Sequence, residues 1–406
     1  MMLRSVILKR MRLNVLSLRF LYGLILIIGL GVLSGVVSTQ TLNNRIQYAQ
    51  ARQLEWRNAL ETARHYESTY GQVVFVPPIL SLVVEGIGDR FGMAARADGH
   101  FGRASISGRA QSNRLLAFLP IDLSHVVALI LSLLAILFTY DAISGERESG
   151  TLRLILSNSI ARSTLLFGEY LATLMTLLVA LIPAVLIWLL VVRKAGLPSF
   201  TADEWKRLAV FFIATFFFTS IYVTIGLLLS STLRHSTTSL MLGLFIWVMT
   251  TSLYPSLAAW SAVRLNPLEV NANAAQRTTL NQMAAQAELA RTLQLASPVH
   301  IFYALSSRVA STDLEAYLRF VNYADRYQEE VAQWHRQKLS LYPEREHRWH
   351  PSFGLLDIDG FPQPAFKGDS LTQAIVSSLP YLSLLIVFNG VLMLASLFAV
   401  SRYDPR

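Results

Sequence analysis

The chain has 406 residues, of which 53% are hydrophobic and only 15% charged, with a net charge of +9 and no cysteine. Soluble chains carry about a quarter charged residues, so an ordinary soluble globular protein is excluded; the lack of thiols also excludes disulfides, thiolate metal sites and cysteine catalysis. The basic excess does not argue for nucleic acid as a partner, because cations beside membrane spans set topology and meet anionic lipid headgroups.

Taken from the start, residues 1–19 carry Arg4, Lys9, Arg10, Arg12 and Arg19 without an acidic residue, interspersed with Leu3, Val6, Ile7, Met11, Leu13, Leu16 and Leu18. This pattern predicts a cytoplasmic helix lying in the membrane interface; a cleaved signal peptide is the competing reading, against which the next apolar run is long. Six runs are apolar enough to cross a bilayer as helices: Phe20–Ser38, Val126–Tyr140, Tyr170–Val192, Leu208–Ser231, Thr238–Ala259 and Ala374–Val400. None contains Asp, Glu, Lys, Arg or His, and about 20 apolar residues are needed for a span. The second is short and is extended back to Phe118, which brings Asp122 and His125 to the membrane surface. The fold class read here is therefore an all-α polytopic membrane protein, with α-rich insertions.

Six spans from an inside start end inside. Residues 39–117 and 260–373 then form extracytoplasmic insertions, 193–207 is a short outside loop, and 141–169, the turn 232–237 and the tail 401–406 lie in the cytoplasm. The 193–207 loop resists, with Arg193, Lys194, Lys206 and Arg207 against Asp203 and Glu204, but the five N-terminal cations outweigh it. In the first insertion Asn43–Ser68 lacks Gly and Pro and reads as helix; Pro77 and Pro78 punctuate the chain beyond it, and Gly86–Gly108 reads as loop. In the second, Thr312 and Glu315 have capping-box spacing, and Leu314, Tyr317, Leu318, Val321 and Ala324 continue at helical period to about Leu341.

Chemistry is sparse. No lysine among Lys9, Lys194, Lys206, Lys338 and Lys367 is followed by Ser or Thr, so the chain has no Walker A motif and is no P-loop ATPase on its own. The spans lack the ionisable residues of a proton-coupled carrier; any energy for transport then arrives from another subunit. Glu344, Glu346, His347 and His350, with His335 upstream, have spacing that suits a divalent metal, but the spacing is common and a solvated loop or helix end with arginines paired to glutamates is the favoured reading; His347 and His350 stand as weak metal candidates. Phe211, Phe212, Phe216, Phe217 and Phe218 could line a lipophilic path, though lipid-facing aromatics are commoner.

The stretch DAISGERESGTLRLILSN, residues 141–158, stands out between the second and third spans. Glu146 and Glu148 can meet cations on a soluble partner, Gly145 and Gly150 allow sharp turns, and Leu152, Ile155 and Leu156 at i, i+3, i+4 make an apolar face. Physics alone leaves docking and a plain polar loop open. Glu146-Arg147-Glu148-Ser149-Gly150-Thr151-Leu152, then Leu156-Ser157 and Ile160-Ala161-Arg162, resembles the signature of ABC-2-type transporter permeases. Asn158-Ser159 and Gly168-Glu169 depart from it where a residue-Pro pair and Gly-Lys are usual. Val73-Val74-Phe75-Val76-Pro77-Pro78, Leu80-Ser81, Glu85-Gly86, Ser297-Pro298, Ser311-Thr312-Asp313, Phe320 and Tyr327 are similar to the subfamily with two large extracytoplasmic insertions, related to the nitrous-oxide-reductase maturation permease.

The resemblance implies a six-helix permease in a bacterial cytoplasmic membrane, paired with a second copy or a similar permease and contacting membrane lipid. It further implies export driven by separate ABC ATPases, which bind the ATP and Mg. The chain itself is then not an enzyme and holds no cofactor. The ATPase-coupling residues implied are Asp141, Glu146, Arg147, Glu148, Gly150, Thr151, Leu152 and Ile155. Competing expectations are a mechanical transducer that moves no substrate, a membrane enzyme using the outside His/Glu cluster, and a passive subunit insensitive to changes at Glu146 and Glu148.

Overall fold

The computed structural model describes residues 2–86, 92–98, 104–107, 122–152, 161–267, 276–343 and 356–402. Helix α1 (Met2–Val15) precedes α2 (Leu18–Glu61), and Ser17 divides them by accepting the Phe20 N–H at 3.2 Å as an N-cap. Strands β1 (Gly71–Val74), β2 (Ala94–Ala97) and β3 (Ser105–Ser107) come next. The second long apolar helix is composite: α3 (Leu123–Val126), a π-turn over Val127–Leu131 and α4 (Ser132–Thr139), with the short α5 (Ser144–Glu148) at its end. Then come α6 (Arg162–Lys194), α7 (Ala202–Thr232), α8 (Ser236–Val248), a second π-turn at Met249–Leu253 and α9 (Tyr254–Leu265). Helices α10 (Gln276–Gln294), α11 (Pro298–Ala310), α12 (Leu314–Leu341) and α13 (Leu371–Ser401) complete the chain.

Among the described residues, six helices are long and apolar enough to span a bilayer: Leu18–Glu61, Leu123–Glu148, Arg162–Lys194, Ala202–Thr232, Ser236–Leu265 and Leu371–Ser401. The chain is an all-α polytopic membrane protein. Helix α7 is central, packing against α4, α6, α8, α11 and α13. Its start is set by a capping box between Thr201 and Glu204, and α13 starts on another between Ser370 and Gln373.

Two departures from the sequence reading are physical. Asp122 does not lie inside the second helix: its carboxylate caps α3, accepting from His125 N at 2.8 Å and Ser124 Oγ at 2.7 Å, and it also accepts Glu85 N at 3.0 Å. The helix therefore begins at Leu123; the extension through Phe118 falls outside the described residues. The stretch read as loop holds β2 and β3, in an antiparallel sheet of order β1-β2-β3 with Gly71 opposite Ala97 and Ala95 opposite Ile106. Its alanines lack the branched and aromatic side chains that signal strands, and α12 packs against β1 and β2. At Gly71 a Cβ would collide with the Tyr327 ring.

The two insertions fold together. A second hydrophobic core, separate from that of the bundle, joins Trp56 and Leu60 of α2, Val73 and Phe75, Ala95, and Tyr317, Phe320, Tyr327 and Trp334 of α12. Helix α2 reaches it unbroken: its 44 residues run about 66 Å at 1.5 Å per residue, twice the roughly 30 Å hydrocarbon core. Helix α11 behaves differently. Val299, Ile301, Phe302 and Leu305 are buried in the bundle core, with Phe302 stacked on Phe218 at 4.6 Å. A charged joint ties module to bundle. Arg207 of α7 donates to Val309 O at 3.0 Å, Ser311 Oγ at 2.6 Å and Asp369 O at 2.6 Å. Arg308 pairs with Asp313 at 3.1 Å and with Glu315, and Arg319 pairs with Asp369. Gly86, at φ +74°, lies against Thr312, where any side chain would collide.

Candidate functional site

The acidic stretch after the second helix forms a short structure gripped from three sides. Its first two free N–H groups, Ile143 and Ser144, have no capping side chain of their own. Ser230 of α7 supplies one: its Oγ accepts Ile143 N at 2.9 Å and Ser144 N at 3.0 Å. Arg147 donates to Leu233 O at 3.1 Å and Ser231 O at 3.0 Å, the carbonyl end of α7. Glu148 accepts Ser236 N at 3.0 Å and Ser236 Oγ at 2.6 Å, with His235 Nδ1 at 3.4 Å, the amide end of α8. A cation on a helix C-terminus and an anion on a helix N-terminus both complement the macrodipoles. Arg147 and Glu148 thus hold the turn between α7 and α8 like two jaws.

Asp141 fixes the entry. It pairs with Arg19 of α2 at 2.7 Å and with Arg10 of α1 at 3.4 Å. Arg10 also pairs with the buried Glu169 of α6 at 2.8 Å. Gly168 permits this seating, since a Cβ there would lie 2.5 Å from Val6 Cγ1. The Glu that stands in place of the usual lysine is therefore matched by a cation from the N-terminal helix.

The outer surface of the element is formed by Glu148, Ser149, Gly150 and Thr151, with Glu146 half-buried beside them. Thr151 Oγ1 contacts the Glu146 carboxylate and Ser149 Oγ, the latter at 2.8 Å. Gly150 is at φ +74° with open space around it, which ends α5 by a left-handed turn. Gly145 lies within α5 and is no flanking turn. Leu152 is buried and shares a small cleft with Ile143, Leu165 and Val400. Ile155 and Leu156 lie outside the described residues, so the apolar face expected there rests on Leu152 alone. Arg162 donates to Ser401 O at 2.8 Å, tying the start of α6 to the end of α13.

Sequence reasoning missed the receiving side, Ser230, Ser231, Leu233, His235 and Ser236, and gave Arg10 and Arg19 only a topological role. The basic-polar composition of STLRHST was the available signal. His347 and His350 lie outside the described residues. His335 is buried, its Nε2 2.6 Å from Thr69 Oγ1. Among the described residues no group of three metal-ligating side chains converges.

A family model described as ABC-2 family transporter protein matches residues 6–334, which includes α5, the α7–α8 turn, Arg10 and Arg19, and most of both insertions. The chain belongs to the ABC-2 transporter family. A comparison with curated proteins found no match. As an ABC-2 permease, the protein is a membrane subunit of an ABC transporter, and the family in general works with an ABC ATPase. In this permease the described partners of the grip are carbonyls, amides and hydroxyls already engaged, an arrangement suited to holding elements in fixed relation.

Proposed function

We propose that this permease takes up force from separate cytoplasmic ATPase subunits through Asp141–Arg162, and exports a substrate as a pair with a second copy or a similar permease. The single observation that supports this best is the grip of α5 on the α7–α8 turn. A push on the outer face, at exposed Thr151 and half-buried Glu146, is delivered through Arg147 and Glu148 to two spans, and through Asp141 to α1 and α2. ATP and Mg belong to the partner; this chain supplies no catalytic group. The N- and C-termini lie on the ATPase side, in a bacterial cytoplasmic membrane.

The test is co-purification with a soluble P-loop ATPase. Glu146→Arg is expected to lower ATPase association at least tenfold while leaving the thermal midpoint of the permease unchanged. Retention of the ATPase by that variant overturns the docking assignment.

A second reading, a mechanical transducer that moves no substrate, is favoured by one feature: α2 runs unbroken from the bundle into the insertion module, as a lever would. Reconstituted vesicles separate the two. Export predicts ATP-dependent flux, and transduction predicts ATP hydrolysis that responds to an extracytoplasmic partner without flux.

A further inference from the structure

Val299, Ile301, Phe302 and Leu305 seat α11 in the bundle core, and its next face carries polar rings. His300 and Tyr303 lie at i and i+3 and so share that face. Tyr303 stands between two imidazoles. Its ring centroid is 4.6 Å from that of His125 in α3 and 5.9 Å from that of His300, which it meets edge to face. The two histidines occupy matching positions. His125 is the third residue of α3 after its cap Asp122, and His300 is the third residue of α11 after its cap Ser297. A cation in the first turn of a helix is opposed by the macrodipole, so a charged imidazole there calls for an anion beside it.

The two positions differ in that anion. His125 Nδ1 lies 2.7 Å from Asp122 Oδ1. At α11 the cap is neutral, and Ser297 Oγ donates to Thr250 O at 2.6 Å. His300 Nδ1 is buried without a partner. The other charged or titratable groups on the elements packed against α11 are engaged elsewhere. Glu288 and Arg291 of α10 pair with each other, and Arg291 lies over the Tyr381 ring of α13. On α7, Tyr222 Oη is 2.9 Å from Thr250 Oγ1, Asp203 pairs with Lys206, Glu204 closes the capping box, and Arg207 holds the far end of α11. Arg308 of α11 itself pairs with Asp313 and Glu315. We propose that His125, Tyr303 and His300 form an acid latch: a proton taken up by His300, with no anion to meet it, unseats α11 from α3 and so loosens the helix that fills the bundle core. The latch needs neither ATPase coupling nor a transport direction. Burial, then His125, hold the seated His300 at about 4, against 6.5 when solvated. The unseated state therefore takes up the proton first as pH falls, and the unseating constant rises roughly 25-fold from pH 7.5 to pH 5.

The test uses the full chain in phosphatidylcholine nanodiscs. The chain has no cysteine, so Ser306→Cys, on α11 and 1% exposed, reports unseating through its rate of reaction with a charged methanethiosulfonate. The rate is taken relative to Lys206→Cys, at an exposed position, which cancels the pH dependence of the thiol chemistry. The relative rate is expected to rise roughly 25-fold from pH 7.5 to pH 5 and to return on neutralisation. His300→Gln should abolish the rise. His125→Gln, which leaves Asp122 free to meet the proton on His300, should cut it to a few-fold. Ala214→Cys, buried in α7, should stay protected at both pH values. A rate flat with pH, a rise undiminished in His300→Gln or in His125→Gln, or equal exposure of Ala214→Cys at pH 5 overturns the latch.

Discussion

Ser230 illustrates how one hydroxyl can decide whether a junction holds. Its Oγ satisfies the N–H groups of Ile143 and Ser144, both in buried residues. Ser230→Ala leaves two buried donors unpaired, at about 1–3 kcal/mol each, and is expected to lower the unfolding midpoint and weaken ATPase coupling together. Arg10 and Glu169 make a sharper case. Removing Arg10 alone strands a buried carboxylate, so Arg10→Ala should cost about 3–5 kcal/mol, whereas Arg10→Gln with Glu169→Gln should recover most of it in thermal unfolding. His300 links stability to pH. Burial first, and then nearby His125, hold its imidazole down to about 4 from its ordinary 6.5. The folded state therefore keeps it neutral while the unfolded chain takes up a proton below about pH 6.5. This contribution is complete above that pH and is lost progressively as pH falls toward 4. The unfolding midpoint should drop across that window, and less steeply in His300→Gln.

At the level of elements, α5 and the α7–α8 turn should move as one body. The chain has no cysteine, so Glu148→Cys with Ser236→Cys can be bridged cleanly by a short bis-maleimide. Bridging is expected to leave ATP-dependent activity intact; loss of activity would mean that the two elements separate during the cycle. The long apolar helices were legible because uncharged runs of that length leave a chain few alternatives. The acidic stretch was legible as an element of interest because charge between two spans is conspicuous. What it grips was not legible, because Arg147 and Glu148 act on residues 84 to 88 positions away, a pairing no local pattern contains. The sheet escaped for a related reason: Ala95 and Ala97 pack in the core shared with α12, and Ala94, Ala95 and Ala97 carry no strand signature. The seating of α11 in the bundle core was hidden too, since thirteen residues are too few to read as a span.

In the molecule taken entire, two cores are joined by α2 and by the Arg207–Arg308–Asp369 joint. Gly71→Ala should destabilise the insertion module by forcing Tyr327 out of place, by about 1–3 kcal/mol, and limited proteolysis should then cut the module before the bundle. Both working cores matter to transport only if α5 faces the cytoplasm and is pressed by a nucleotide hydrolase. A single cysteine at Glu146, carrying a short photocrosslinker, tests this in native membranes through the identity of the cross-linked product. A soluble subunit bearing a Walker A motif is the expected product, with the cysteine inaccessible to a membrane-impermeant maleimide added to intact cells. Labelling from outside, or the absence of any nucleotide-binding protein from the cross-linked product, would refute it.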